Sequence, residues 1–438
     1  MPDGDEPWPV SDWRRKSVCR KGGVAMTTYL ELNKSLSFDE ATVKDQVHRF
    51  GVEVLRPAAA ELDPLPPEDV IAGGSVLWEV FRKAYQLGFH TSGLPEALGG
   101  VKMSSLARHI YGEEMGWASA DFAIGLGVAP FPFTFGAMSG RQSILQDIVK
   151  PFAEDREARY IGCWAITEPQ HGSDSLLVGQ DQFSRPETAF DLYARKDGDE
   201  WVINGQKSAW VSNGTIATHA LTFLGADRSR GSAGSCVAII PLDRPGVTRG
   251  KPLDKLGQRG LNQGEIFFDD VRIPRDYVLV STEGYPYVIE SVLAGANAGM
   301  GSIFTGVARA AFEEALTYCK QRVQGGKAIC EHQAVQLKLM DMFINVESAR
   351  ALSRAALVYN SETSPPAVQY SVASKVFCTQ TAFQVASDAV QLHGGYGLVK
   401  GMLVEKLFRD ARASMIEDGT NEVLSLAASR RVIDNYPA

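Results

Sequence analysis

Apolar and polar residues alternate with a helical period in the first part of the chain. Ser37 and Glu40 form a capping-box pattern, in which each side chain accepts a hydrogen bond from the other residue's backbone N–H. From Val43 to Val54, apolar residues recur every three or four positions, which predicts a helix with one buried face. The same period is found over residues 76–87, 104–115 and 144–157. We therefore predict an all-helical domain over residues 31–158.

Strand-forming residues then dominate residues 159–282. The segments 189–196 and 200–207 are separated by Asp197-Gly198-Asp199, a sequence typical of a β-hairpin turn. Further short strand-like runs cover residues 220–225, 235–242 and 265–271. This spacing predicts a middle domain with a β-barrel or β-sandwich structure.

The helical period returns over residues 283–438. One predicted helix carries a single apolar stripe that contains Val335, Leu339, Met342, Val346 and Ala349. Ser364-Pro365-Pro366 ends this helix because proline cannot continue it, and another helix is predicted over 367–392. The order is helices, strands, helices, without βαβ alternation. It therefore predicts an α+β fold and argues against a Rossmann or TIM-barrel architecture.

Composition and charge narrow the possible functions. A net charge of -8 argues against a nucleic-acid binder, and no apolar run approaches the roughly 20 residues of a membrane span. The six cysteines and seven histidines are scattered, so we expect neither a metal site nor a disulfide framework. Cysteines of this kind are typical of a reducing compartment and indicate a cytoplasmic protein. Residues 1–30 are expected to be a disordered tail, with Met26 as an alternative start.

Two stretches of the middle region have the composition of ligand-binding loops. In the stretch 164–174, Thr167 and Ser173 supply hydroxyls, and Gly172 lets backbone approach a ligand closely. Between Lys207 and Gly214, Trp210 could stack on a planar ring while Ser212 reaches the ring's polar edge. The alternatives are a polar turn for the first stretch and a core tryptophan at a strand end for the second.

Two stretches of the C-terminal region could bind an anion. Arg322, followed by Gly325-Gly326-Lys327, is a candidate phosphate ligand, and Gly394-Gly395 would let backbone approach a phosphate or another subunit. The alternatives are a solvated helix end and an ordinary glycine C-cap.

The stretch 415–422 combines Glu417, Asp418 and Glu422 with Gly419-Thr420 and predicts a tight turn between two helices. A carboxylate at such a turn can point into a cleft. The alternative is an acidic residue that caps the second helix and offsets its dipole.

Together these five stretches resemble the acyl-CoA dehydrogenase family of FAD flavoproteins. The family signature T-E-P-x-x-G-S-D fits 167–174, and Q-x-x-G-G-x-G fits 391–397. The W-I-T/S-N-G, R-x-x-x-G-K…E-H-Q and E-G-T patterns are similar to 210–214, 322–333 and 418–420. The resemblance implies the family's three-domain fold, which ends in a C-terminal four-helix bundle.

The resemblance also implies a role for each matched residue. The flavin half of FAD would contact Trp164, Ile166, Thr167, Gly172, Ser173, Trp210, Val211 and Ser212. The adenine dinucleotide half, usually bound by the neighbouring subunit, would contact Arg322, Gln324, Gln333, Gln391, Gly394 and Gly395, with Thr420 and Glu422 near it. The substrate would contact Ser173, Asn297 and Gly419. The implied partners are an acyl-CoA, an electron-transferring flavoprotein and further copies of the chain in a dimer or tetramer.

The chain departs from the family at the catalytic base. The usual glutamate of E-G-T is Asp418, which is one methylene shorter, with Glu417 as the second choice. Some family members carry the base on the helix after the strand domain, but the matching position is Ala296, and the arginine that is common beside that base is Asn297. Asp418 is therefore the predicted base. The resemblance implies α,β-dehydrogenation of an acyl thioester, with an alicyclic or otherwise bulky acyl group to suit the shorter base.

Two alternatives remain open from the sequence. A nitroalkane-oxidase-like flavin oxidase also uses aspartate at the base position, but its arginine seven residues later is Ser425 here. A catalytically inactive flavin-binding subunit is the other alternative, against which the acid at position 418 argues.

Overall fold

The first helix begins at the predicted capping box. In the computed structural model, which describes residues 35–437, Ser37 N donates to Glu40 Oε2 (2.9 Å) and Glu40 N donates to Ser37 Oγ (3.3 Å). The predicted tail over residues 1–30, with Met26, lies outside the described residues. Residues from Leu36 to Ala438 form one compact unit, and the proposed domain boundaries within it stay predictions.

The N-terminal region is helical, as predicted. Its α-helices are Phe38–Phe50 (α1), Arg56–Leu62 (α2), Pro67–Val70 (α3), Val76–Gln86 (α4), Ser105–Ala118 (α5), Ala120–Val128 (α6), Phe131–Ser139 (α7), Gln142–Ile144 (α8) and Lys150–Glu154 (α9). The helix predicted over 144–157 is confirmed as far as Glu154, where α9 ends, and its residues Leu145–Val149 form a π-helical turn.

The segment Ala120–Ser139 corrects the expectation that no apolar run approaches the length of a membrane span. By length and composition alone this stretch could cross a membrane, although half of its most apolar window is buried inside the protein. Pro130 lies between α6 and α7 within it. A buried core helix of a soluble protein has the same length and composition, so this is weak support for a membrane span.

The middle region forms a mixed sheet. Its strands are Gly162–Ala165 (β1), Tyr193–Asp197 (β2), Glu200–Lys207 (β3), His219–Gly225 (β4), Ser235–Pro241 (β5), Val247–Arg249 (β6), Ile266–Pro274 (β7) and Val278–Val280 (β8). The order is β6-β7-β3-β2-β4-β5-β8, and β1 pairs with β4 in parallel. The predicted hairpin is confirmed, since β2 and β3 are antiparallel and Asp197 pairs with Glu200.

Asn213 fixes the sheet to the N-terminal helices. Its backbone is left-handed (φ 63°), and its Nδ2 donates to the carbonyls of Gly125 (2.9 Å) and Gly162 (3.1 Å). The side chain is buried, so these bonds satisfy donors that would otherwise be costly to bury. The start of β1 is thereby held against α6.

The C-terminal region is a helical bundle. Its helices are Tyr285–Gln321 (α10), Gln333–Glu362 (α11), Val368–His393 (α12), Leu403–Ser414 (α13) and Asn421–Asn435 (α14). Between α10 and α11 lie the two-residue strands Val323–Gln324 (β9) and Lys327–Ala328 (β10). Helix α12 packs against the other four. Its predicted bounds differ from the observed ones by one residue at each end. The predicted fold class is thus confirmed.

Buried ion pairs join this bundle to the N-terminal helices. Arg309 of α10 donates to Glu113 (2.9 Å) and Glu114 (2.6 Å) of α5, and Arg350 of α11 donates to Glu113 (3.0 Å). These charges are almost fully buried and compensate one another. The pairs fix α5 relative to α10 and α11.

Candidate active site

The C-terminal turn predicted from the sequence lies between α13 and α14. Its two central residues are left-handed, Asp418 with φ 52° and Gly419 with φ 97°. A Cβ at Gly419 would also come within 2.8 Å of Leu176, so this position requires glycine. The N-cap of α14 is Thr420, whose side chain accepts from Val423 N. The alternative in which Asp418 caps the helix is therefore wrong.

Lys375 of α12 lies beneath this turn. Its Nζ donates to the Gly419 carbonyl and to Asn421 Oδ1, both at 2.8 Å, and its side chain is fully buried. Burial lowers the pKa of Lys375 to about 8, although Asp418 and the two neighbouring glutamates act in the opposite direction. No motif in the sequence pointed to this residue. The available signal was a lysine at a buried position of a helix whose other charged residue is Asp388.

The two adjacent carboxyls of the turn differ in acidity. Asp418 is exposed to solvent, but protein atoms pack around part of it. The partial desolvation that they cause raises the pKa of Asp418, whereas the charge of Lys375 lowers it. Desolvation, together with the charge of Asp418, raises the pKa of Glu417 to about 8. Glu417 Oε1 also accepts a hydrogen bond from Gln258. Glu417 is thus mostly protonated at neutral pH, which leaves Asp418 as the carboxylate of the turn.

The predicted flavin loop meets the turn directly. Thr420 N donates to Ser173 Oγ at 2.9 Å, and the Gly419 backbone lies against Leu176, which follows in the same loop. The structure therefore brings together Ser173, Asp418, Gly419 and Thr420, which the sequence places in two stretches more than 240 residues apart.

A buried ion pair clamps the loop to the sheet. Lys207 Nζ donates to the Ile166 carbonyl (2.9 Å) and to Glu168 Oε1 (2.7 Å), and Ser208 N donates to the Thr167 carbonyl (2.9 Å). Lys207 and Glu168 are both buried. Both residues belong to stretches singled out in the sequence, but nothing in those stretches predicted that they pair with each other.

Glu168 is also part of a possible metal-binding group. Within residues 35–437, ligand atoms of Glu168, His171 and Asp191 lie within 4.8 Å of one another. Both oxygens of Glu168 already accept protein donors, from Lys207 and from the backbone N–H groups of Asp191 and Leu192. Glu168 is therefore better explained as the partner of Lys207 in an internal ion pair than as a ligand of a metal ion.

Trp210 presents its ring to solvent. Its side chain is 58% exposed, whereas the next residue, Val211, is buried. The alternative of a core tryptophan is therefore wrong. Ser212 forms β-bridges with Trp164 and Gln263, and Gln263 Nε2 donates to Ser212 Oγ (3.3 Å). An exposed indole next to a fixed hydroxyl can stack on a planar ring and contact its polar edge.

A second site lies at the C-terminal end of α12. A cavity of about 520 Å³ is lined by the predicted ligands Arg322, Gln324, Gln391, Gly394 and Gly395, together with Tyr318, Ile329, Leu392, His393, Tyr396 and Val399. A Cβ added at Gly394 or Gly395 would meet only open space. Gly394 is also the C-cap of α12, so the capping alternative is correct as well. Guanidinium and amide donors around open backbone suit a phosphate-bearing ligand.

The two sites lie far apart in one chain. Lys375 and His393 are separated by about 27 Å along α12, at the 1.5 Å rise per residue of an α-helix. Gln333 is exposed at the start of α11 and does not line the cavity, and Glu422 is exposed on α14. Asn297 is fully buried and donates to the Leu293 carbonyl, so its predicted contact with substrate stays a prediction.

Known domain families match nearly the whole described chain. The families described as acyl-CoA dehydrogenase N-terminal, middle and C-terminal domains match residues 37–156, 163–271 and 282–433.

Individual relatives agree with these matches. The mitochondrial short-chain specific acyl-CoA dehydrogenase of Bos taurus is 31% identical over 98% of this chain and 96% of its own. The cyclohexane-1-carbonyl-CoA dehydrogenase of Geobacter metallireducens is 30% identical over 88% of this chain and 97% of its own. The structure of butyryl-CoA dehydrogenase from Megasphaera elsdenii is 27% identical, covers 92% of this chain and 100% of its own, and superposes with a TM-score of 0.80.

Proposed function

Because this chain belongs to the acyl-CoA dehydrogenase family and is therefore an FAD-dependent oxidoreductase acting on CH–CH bonds, we propose that Asp418 is its catalytic base. The observation that carries the proposal is the contact between the turn of Asp418 and the flavin loop through Thr420 and Ser173. The reaction would be α,β-dehydrogenation of an acyl thioester.

The environment of Asp418 suits the removal of a weakly acidic α-proton. A general base works best when its pKa is close to the working pH, and partial desolvation by the surrounding protein raises the pKa of Asp418 towards this range. The neighbouring Glu417 is mostly protonated at neutral pH, so it does not compete as a base. FAD, when bound, supplies the acceptor for the hydride that leaves the β carbon.

Two separate groups of residues in this chain fit the two halves of FAD. Trp210 and Ser212 offer a stacking face and a hydroxyl for the isoalloxazine ring, and the loop with Thr167 and Ser173 reaches the same turn as Asp418. The cavity around Arg322 suits the adenine dinucleotide half. The separation of about 27 Å along α12 between Lys375 and His393 favours a homo-oligomer, dimer or tetramer, in which each FAD contacts two subunits.

The shorter base favours an alicyclic or bulky acyl group. Aspartate reaches about one methylene less far than the family's glutamate, and a misplacement of about 1 Å can cost roughly 100-fold in rate. A substrate whose reacting carbon lies closer to Asp418 compensates for this. The similarity to a cyclohexane-1-carbonyl-CoA dehydrogenase supports this substrate class. We further propose an electron-transferring flavoprotein as the acceptor and the cytoplasm as the location.

Anaerobic bleaching of the bound flavin by acyl-CoA thioesters tests the proposal. We expect cyclohexane-1-carbonyl-CoA to reduce the flavin faster than butyryl-CoA does. Peroxide formation from a nitroalkane in air would instead indicate an oxidase. A flavin that neither substrate class reduces would contradict the proposed function and favour an inactive flavin-binding subunit.

A further inference from the structure

We propose that Lys375 is a positioning residue for the catalytic base: its ammonium group holds the turn 418–421 in place from below and supplies the positive charge that Asp418 faces. The inference rests on the proposed role of Asp418. It assigns to α12 a function in the reaction in addition to its packing role in the bundle.

The hydrogen bonds of Lys375 fix both sides of the left-handed turn. One acceptor is the Gly419 carbonyl, directly after the base, and the other is Asn421 Oδ1, in the first turn of α14, both at 2.8 Å. Asn421 N also donates to the Met415 carbonyl (3.0 Å), so Asn421 ties the end of the turn to its beginning. Asp418 itself has φ 52°, a conformation that a non-glycine residue keeps only when its surroundings enforce it.

A neutral donor could satisfy these two acceptors, so the charge needs its own explanation. A buried ammonium group is costly unless opposite charges compensate it. The acidic groups facing Lys375 are Asp418 and Glu417 of the turn and Glu422 of α14. Glu417 additionally faces Lys255. Among the described residues, Lys375 is the cation that acts on the Asp418 carboxyl.

This arrangement reconciles two requirements of the base. Partial desolvation by the surrounding protein makes Asp418 a stronger base but disfavours its carboxylate form, whereas a nearby cation favours the carboxylate. Lys375 therefore keeps Asp418 ionised while the turn encloses it. The same ammonium group constrains the backbone from which the Asp418 side chain projects, because the carbonyl that it binds belongs to Gly419, the residue directly after Asp418.

An infrared titration measures the charge effect without substrate. The carboxylic acid C=O stretch that Asp418→Asn removes reports the protonation of Asp418 in the holoenzyme. In Lys375→Met, the loss of the cation should raise the midpoint of the Asp418 titration by about 1–3 pH units. Lys375→Gln also removes the charge but keeps a donor, so it provides the same test if Lys375→Met does not fold.

Thr379→Val is the matched control. Thr379 lies one helical turn further along α12, and its hydroxyl accepts from Asn421 Nδ2 at 3.1 Å. The variant therefore loses an uncharged contact to the same asparagine. We expect it to leave the Asp418 midpoint unchanged. An unchanged midpoint in both lysine variants would overturn the inference and leave Lys375 a purely structural residue.

The reaction itself gives the second readout. With a saturating acyl-CoA, Lys375→Met should reduce its flavin about 10- to 100-fold more slowly than the wild type, since the base is displaced by up to about 1 Å. In the pH profile of this flavin-reduction rate, the acid limb should move to higher pH, and the affinity for the acyl-CoA should change less. A wild-type flavin that no acyl-CoA reduces would refute the proposed function, whereas the infrared titration decides the charge effect of Lys375 independently.

Discussion

At the residue scale, the residues around Asp418 determine the orientation of its side chain and the pKa of its carboxyl group. Asp418→Asn keeps the shape of the side chain and removes only its ability to accept a proton. We expect the variant to retain FAD and to reduce its flavin about 10²–10⁴-fold more slowly with acyl-CoA, the usual contribution of a general base. Anaerobic stopped-flow absorbance measures this rate.

Glu417→Gln is the control for that experiment. Its amide oxygen can still accept the hydrogen bond from Gln258 that Glu417 accepts in the wild type. Because Glu417 is mostly protonated at neutral pH, the variant should reduce its flavin within a few-fold of the wild-type rate. If Glu417→Gln lost the reaction and Asp418→Asn kept it, Glu417 would be the base.

The raised pKa of Glu417 makes a separate prediction about stability. The pKa is about 8 in the folded protein against 4.5 for an ordinary glutamate, so the folded state holds this proton more tightly. The stabilisation that results is complete below about pH 4.5 and is lost as the pH rises through about 8. Glutamine does not titrate. The melting temperature of Glu417→Gln relative to the wild type should therefore rise between about pH 5 and pH 9, whereas a constant difference would contradict the assigned pKa.

At the scale of elements, local signals in the sequence identify most of the fold. The capping box at Ser37 and the turn between β2 and β3 each lie within a few residues, so the structure confirms both. Strand β1 was missed because it has only four residues and its partner, β4, follows more than 50 residues later. Lys375 was missed because the groups that accept its hydrogen bonds lie in a distant turn, which contacts Lys375 only in the folded chain.

The clamp between Lys207 and Glu168 joins a loop to a strand, and its loss should affect both. Lys207→Met leaves the buried Glu168 carboxylate without its cation, which should destabilise the protein by about 3–5 kcal/mol and weaken flavin binding. The double variant Lys207→Met/Glu168→Gln removes both charges and should recover part of that stability. Urea denaturation and FAD content measure the two effects. Equal stability of the single and double variants would show that the buried charge is not the cause.

At the scale of the whole molecule, α12 separates Asp418 from the cavity around Arg322, which supports the proposed site shared between two copies of the chain. Motifs in the sequence predicted both sets of residues, but they do not show which subunit supplies each set. Arg322→Ala should lower FAD content, because the guanidinium has no side-chain partner within residues 35–437 and lines the cavity. Asp418→Asn should abolish most of the reaction while keeping FAD.

Hybrids of these two variants distinguish shared from separate sites. If each site combines Asp418 of one subunit with Arg322 of its partner, a hybrid dimer has one site with both defects and one site with none. Co-expressed subunits with different tags, purified on both tags, should then reduce about half of the flavin sites at the wild-type rate. If each site lies within one subunit, every site in the hybrid carries one defect, and the fast phase is limited to the Arg322→Ala sites that still hold FAD. A hybrid of wild-type and Asp418→Asn subunits, in which half the sites keep the base under either arrangement, calibrates the fast phase.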